Sequence, residues 1–201
     1  MTLETLGQTK AVKPIKLIPQ LSVYNIDGDT NNLKAIAKGK VTFLDFWFIP
    51  CGACFVEMKM LHKLYSRYKD NPNVAFLTIT LTDSAFVRPL LENRNTESNE
   101  TYTYFKSLAG LDTFKLPVYF IKGVAEKQTY FKQTGNSFRG SRDVKASKNE
   151  LSPDDIFGFS AYPTIFLFDK TGTLIYNKTA FTKKDERRQQ TNIEKLINAN
   201  L

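Results

Sequence analysis

Residues 41–54 constrain this chain more than any other stretch. Val41-Thr42-Phe43-Leu44-Asp45-Phe46-Trp47-Phe48 is almost continuously apolar, with one charge, Asp45. Its length and its β-branched and aromatic content suit a strand buried on both faces. After Pro50 the period changes. Phe55, Met58, Leu61, Leu64, Tyr65 and Tyr68 recur at three- and four-residue spacing, one face of a helix from about Cys51 to Lys69. Asn71-Pro72-Asn73 stops it, and Val74 to Leu81 reads as a second buried strand. Strand, helix and strand in this order make a βαβ unit with a parallel pair.

At the junction of the first strand and the helix lie the only two cysteines of the 201-residue chain, Cys51-Gly52-Ala53-Cys54. Two thiols at this spacing can close a small disulfide and reopen it. At a helix N-terminus the backbone N–H groups and the dipole favour a thiolate on the first cysteine. The thiolate is the attacking species in disulfide exchange. Three other readings compete. A structural disulfide this short restrains the unfolded chain by only about 2 kcal/mol in the entropic model. A zinc site needs a second cysteine pair or two histidines, and the chain offers only His62. The third reading is a pair of inert buried cysteines. The position of the CxxC on a βαβ pattern favours redox chemistry over all three. The single histidine also argues against a Ser-His-Asp hydrolase and multi-histidine metal enzymes; His62 reads as a helix-surface or boundary residue.

Around this unit the chain reads as one α/β domain. Residues 1–17 form an irregular lead-in. Leu21 to Ile26 alternates like a strand, Asp27-Gly28 marks a tight turn, and a return segment runs through Leu33 and Ile36 to Gly39-Lys40. Residues 82–96 are mixed. Glu97 to Ala109 predicts a helix and Leu116 to Ile121 a short strand. Residues 122–150 hold seven basic and three acidic residues and few aliphatic ones, which reads as an insertion or long loop. Ser152-Pro153 opens a short helix. Thr164 to Phe168 and Thr173 to Asn177 flank the turn Asp169-Lys170-Thr171-Gly172, and a capped helix begins at Thr182.

The net charge of +8 suits a solvated basic surface. No base-reading motif accompanies it, so nucleic acid is not an expected partner. No run of about 18 apolar residues crosses a membrane, and Met1 to Lys16 lacks a signal-peptide core.

Phe43-Leu44-Asp45-Phe46-Trp47 through Cys51-Gly52-Ala53-Cys54 resembles the active-site segment of thioredoxin-fold proteins. Leu21 to Leu33 with Asp27-Gly28, Gly39-Lys40-Val41, Tyr162-Pro163-Thr164 and Phe168-Asp169-Lys170-Thr171-Gly172 narrow the resemblance to the TlpA/ResA-like thiol-disulfide oxidoreductases. It covers about residues 18–200, except 122–150. It implies a thioredoxin-like fold: a central mixed sheet flanked by helices, an N-terminal β-hairpin, and an insertion at 122–150 before a cis-proline loop. It implies Cys51 as nucleophile, Cys54 as resolving cysteine, and Asp45 and Glu57 as candidate proton acceptors. It also implies a partner-binding surface of Trp47, Pro50, Tyr162 and cis Pro163. The expected partners are disulfide- or dithiol-containing proteins and an upstream electron donor. The expected chain is a monomer, with no cofactor beyond the Cys51–Cys54 disulfide. It would work outside the cytoplasmic membrane after losing an export signal or lipid anchor, with a cytoplasmic site as the alternative. Where the family often has Trp, proline or an intervening histidine, this chain has Pro50, Lys59 and Gly52-Ala53; the missing histidine argues against a strong oxidant. Two other readings stand beside this one: an adaptor module that binds through the basic insertion, and a thiol peroxidase. The latter is disfavoured by Phe48 and Leu44, where peroxiredoxins carry Ser/Thr and Pro.

Overall fold

The computed structural model describes residues 13–96, 100–122, 128–134, 137–143 and 153–201. β1 (Ser22–Asn25) and β2 (Thr30–Asn32) form the expected N-terminal hairpin, turning at Gly28 with φ +91°. The return strand is only three residues long. Asn32 then caps a one-turn helix, α1 (Leu33–Ala37), through its side-chain oxygen and the N–H groups of Lys34 and Ala35. A local cap competes with the strand ladder and wins here.

The βαβ unit follows as expected: β3 (Val41–Trp47), α2 (Gly52–Tyr68) and β4 (Val74–Thr80), the two strands parallel and in register from Val41↔Val74 to Trp47↔Thr80. Every residue of both strands is buried. The mixed segment contains a helix, α3 (Ser84–Leu91), started by the Asp83 side chain accepting from the Ala85 N–H and carrying Pro89 inside it. α4 (Thr101–Ala109) ends on Gly110 in the left-handed region, and β5 (Val118–Ile121) pairs parallel to β4. Within 122–150, read as an insertion or loop, lies an antiparallel two-stranded sheet of β6 (Gln128–Thr134) and β7 (Ser137–Asp143). α5 (Pro153–Phe157), β8 (Thr164–Phe168), β9 (Leu174–Thr179) and α6 (Glu186–Ala199) complete the chain. The expected cap of α5, Ser152, most of the expected lead-in, residues 1–12, and the start of the helix expected from Glu97, residues 97–99, lie outside the described residues.

The main sheet is mixed and seven-stranded, in the order β2-β1-β5-β4-β3-β8-β9. Side-chain alternation divides its core between two faces. Val41, Phe43 and Trp47 of β3 join one cluster with Phe55, Met58, Leu61 and Leu64 of α2 and Ile193 and Ile197 of α6. Leu44 and Phe46 join the other, with Leu33 of α1 and Phe157 of α5. Each fully buried side chain of this size contributes about 1.5–3 kcal/mol of burial free energy. Asp45 keeps step with Phe43 and Trp47, so the alternation turns this acid toward α2 and α6.

Candidate functional site

α2 starts at the C-terminal end of β3, and Cys51 is its N-cap. Cys51 and Cys54 form a disulfide with Cα atoms 5.2 Å apart. The Cys54 backbone N–H points at the Cys51 sulfur at 3.2 Å, which places a donor where a thiolate on Cys51 would carry its charge. Cys51 is 7% exposed and Cys54 1%. An approaching molecule therefore reaches the first sulfur before the second.

The segment joining β3 to α2 is held from beneath. The Ile49 N–H donates to Oγ1 of Thr82 at 2.8 Å, and the Cys51 N–H donates to the Phe48 carbonyl at 3.0 Å. Thr82 is fully buried and was not singled out by the sequence; nothing in its neighbours marks it, because it acts across 33 residues. The Ile49–Pro50 peptide is cis, a second such bond beside Tyr162–Pro163, which is cis as expected.

β8 runs antiparallel to β3 with Thr164 opposite Phe46. One further step sets Pro163 beside Trp47, at the end of the strand that leads to Cys51. The half-buried Tyr162 ring meets Phe48 edge-on at 5.1 Å, and its hydroxyl donates to Asp154 Oδ1 at 3.1 Å. Pro50, half-buried, and Tyr162 thus share the rim of the disulfide with Phe48 and the exposed Ala53. Trp47 does not join them. It is fully buried, with its ring 5.6 Å from that of Phe114 and 6.2 Å from that of Phe55. The expectation of a partner-contacting tryptophan is corrected: strand alternation turns this residue into the core, where it packs beneath the thiols.

Both candidate acids are buried, Asp45 at 1% exposure and Glu57 at 2%. They were read as alternatives, yet the fold brings them together, β3 supplying one and α2 the other. Burial raises Asp45 from 3.8 to about 8; a backbone hydrogen bond from Phe46 opposes this only in part. Burial also raises Glu57 well above its ordinary value, the charge of Asp45 raises it further, and a hydrogen bond from Gln189 pulls it down. Gln189, on α6, donates from Nε2 to Glu57 Oε1 at 3.3 Å and is 5% exposed. Nothing in the sequence marks it, since a glutamine among Arg, Gln and Thr reads as an exposed helix position.

Gly52 and Tyr104 have roles the sequence did not predict, whereas His62 is half-buried, in keeping with a helix-boundary residue. A Cβ added at Gly52 would sit 2.9 Å from the Tyr104 hydroxyl, so α4 lies directly over the dipeptide between the cysteines. Tyr104 also meets Phe55 of α2 at 5.5 Å. His62 is structural: Nδ1 donates to the Met58 carbonyl at 2.8 Å and Nε2 accepts from the Lys115 N–H at 3.0 Å. That bonding fixes the neutral ring, and burial lowers its pKa in the same sense.

Neither a family model nor a curated protein matches this sequence. Solved structures do. A putative thiol:disulfide interchange protein DsbE from Chlorobium tepidum matches with a TM-score of 0.54 and 17% identity, over 92% of this chain and 99% of that one. A putative protein disulfide isomerase from Bacteroides thetaiotaomicron matches with a TM-score of 0.55 and 15% identity, over 93% and 91%. The thioredoxin domain of a thiol-disulfide oxidoreductase from Bacteroides vulgatus matches with a TM-score of 0.51 and 18% identity, over 92% and 99%. The chain therefore has the thioredoxin-like fold, and the architecture expected from the CxxC unit holds for nearly its whole length.

Proposed function

We propose that this protein is a thiol-disulfide oxidoreductase that exchanges disulfides with partner proteins through Cys51 and Cys54, working as a reductant. The observation that carries this reading is the asymmetry of the pair: the Cys51 sulfur caps α2 within reach of a partner, while Cys54 is covered and lies three residues before the buried Glu57 on the same helix.

The reduced protein begins the cycle with Cys51 as thiolate. Its sulfur attacks a partner disulfide, forming a Cys51–partner bond while the other partner sulfur leaves with the electron pair and takes a proton. The Asp45–Glu57 pair then accepts the Cys54 proton: the S–H bond breaks and a carboxyl O–H forms. The Cys54 sulfur attacks Cys51, the Cys51–Cys54 disulfide forms, and the second partner sulfur leaves as thiolate. The partner gains two electrons and the cysteine pair loses two. The half-buried Tyr162 and Pro50 line the path of the bound partner chain, with the buried Pro163 next to Tyr162 in the chain. No cofactor enters; a dithiol donor must restore the pair. The Gly52-Ala53 dipeptide, which lacks a histidine, supports a reducing rather than an oxidising poise.

An extracytoplasmic site of action fits the resemblance to TlpA/ResA-like proteins. No described helix is long and apolar enough to cross a membrane. The test is trapping. Cys54→Ser should accumulate a mixed disulfide with a disulfide-bonded test protein, and Cys51→Ser should form none. Adducts in both variants, or in neither, reject the assignment.

A further inference from the structure

The acid pair must release the proton it takes from Cys54, and the thiol side is covered at that moment. In the mixed disulfide of the proposed cycle, on which this inference rests, the partner chain lies over Cys51, Pro50 and Tyr162. The opposite side of Glu57 is built differently. A pocket of about 310 Å3 opens between α6 and β9, lined by Tyr176, Lys178, Asp185, Arg188, Gln189 and Asn192. Gln189 belongs to both places: it forms part of the pocket wall, and its amide reaches Glu57 Oε1.

Three oxygens mark the line from the sheet to this pocket. Asp45 Oδ1, Glu57 Oε2 and Gln189 Oε1 are buried without a hydrogen-bond partner among the described residues. Buried acceptors left this way are costly. A proton moving between the carboxyls, or a water entering from the pocket, would serve them. The groups around Glu57 are Asp45 from β3, Tyr176 from β9 and Gln189 from α6. Tyr176 lies near enough for the Glu57 charge to raise its pKa. Lys178 and Arg188 stand at the pocket wall with Asp185, which pairs with Arg188. Two cations and one anion make this wall net positive.

We infer that Gln189 is a positioning residue that aims Glu57 at the α6–β9 pocket, and that the proton taken from Cys54 leaves the acid pair by this pocket. The carboxyl O–H breaks, the proton passes to water in the pocket, and the acid pair regains its negative charge for the next turnover.

The experiment is stopped-flow resolution of a preformed mixed disulfide across about pH 6 to 9, with Cys51 alkylation measured on the same samples. Gln189→Leu removes the one donor that favours the charged carboxylate. The pH midpoint of resolution should move up by about one unit, while alkylation of Cys51 at the far end of the site is unchanged. Asn192→Trp, a change at an exposed position of the pocket wall, should slow resolution several-fold without disturbing the core. An unchanged midpoint in Gln189→Leu together with an unchanged rate in Asn192→Trp overturns the inference. If Gln189→Leu does not fold, Asn192→Trp alone decides between the two outcomes. Failure of the underlying reading looks different, because Cys54→Ser would then trap no mixed disulfide to resolve.

Discussion

Asp45→Asn should make this protein more stable at neutral pH, by an amount that the burial of the acid sets. In the unfolded chain Asp45 ionises near 3.8, whereas in the folded protein it does so at about 8. Below about pH 3 it is protonated in both states and costs almost nothing. As pH rises, the unfolded chain loses the proton first, so the folded state holds more protons and stability falls, by about 1.4 kcal/mol per pH unit. The fall ends above pH 8, where both states are ionised. At pH 7 the accumulated loss is roughly 4 kcal/mol. Asparagine keeps the shape and cannot ionise, so the variant recovers that amount at pH 7 and almost nothing at about pH 3. Urea unfolding of the oxidised protein between about pH 3 and 9 measures this, read as variant minus wild type so that titrating groups not coupled to Asp45 cancel. Part of the pH dependence survives in the variant, because Glu57 is raised by its own burial. Parallel curves for the two proteins, or a less stable variant at pH 7, would refute the reasoning, since the acid would then carry no burial cost.

Two further substitutions test the support of the site. Gly52→Ala places a methyl against the hydroxyl at the end of the half-buried Tyr104 side chain, which has to shift, and this offsets the gain of about 0.5–1 kcal/mol that alanine brings to a helix. The net change in urea unfolding should be within about 1 kcal/mol, and Tyr104→Phe in the same chain should make it more favourable, where an additive double variant contradicts the contact. Thr82→Val leaves the Ile49 N–H without its acceptor and should cost about 1–3 kcal/mol by the same measurement, where no change would mean that the hydroxyl does not hold the loop before Cys51.

The centre of this fold was legible because its signals are local and strong. β3 and α2 differ in period, and Pro50 with Cys51 marks the change. The parts that escaped depend on weaker or distant terms. α3 was hidden by Pro89, which breaks a helical pattern in the sequence but is tolerated in a two-turn helix begun by the Asp83 cap. α1 depends on one side-chain cap at Asn32 rather than on periodicity. In 122–150 the Gly135-Asn136 dipeptide between Thr134 and Ser137 was a hairpin signal, outweighed by the polar flanks. At the site, each of Asp45 and Glu57 was visible alone, one as a charge in an apolar run and the other by its spacing from Cys54. Their meeting with Gln189 was not, since it joins β3, α2 and α6 across up to 144 positions (189 minus 45). Trp47 was misplaced for a simpler reason: a tryptophan next to a reactive site invites a contact role, whereas strand alternation assigns it to the core.

The most direct test of the whole account is the rate of Cys51 alkylation in the reduced protein as a function of pH. A sulfur seated on the first turn of α2 should titrate below the ordinary thiol value of about 8.5, leaving Cys54 almost unmodified. A midpoint at or above that value, or equal labelling of both cysteines, would contradict it.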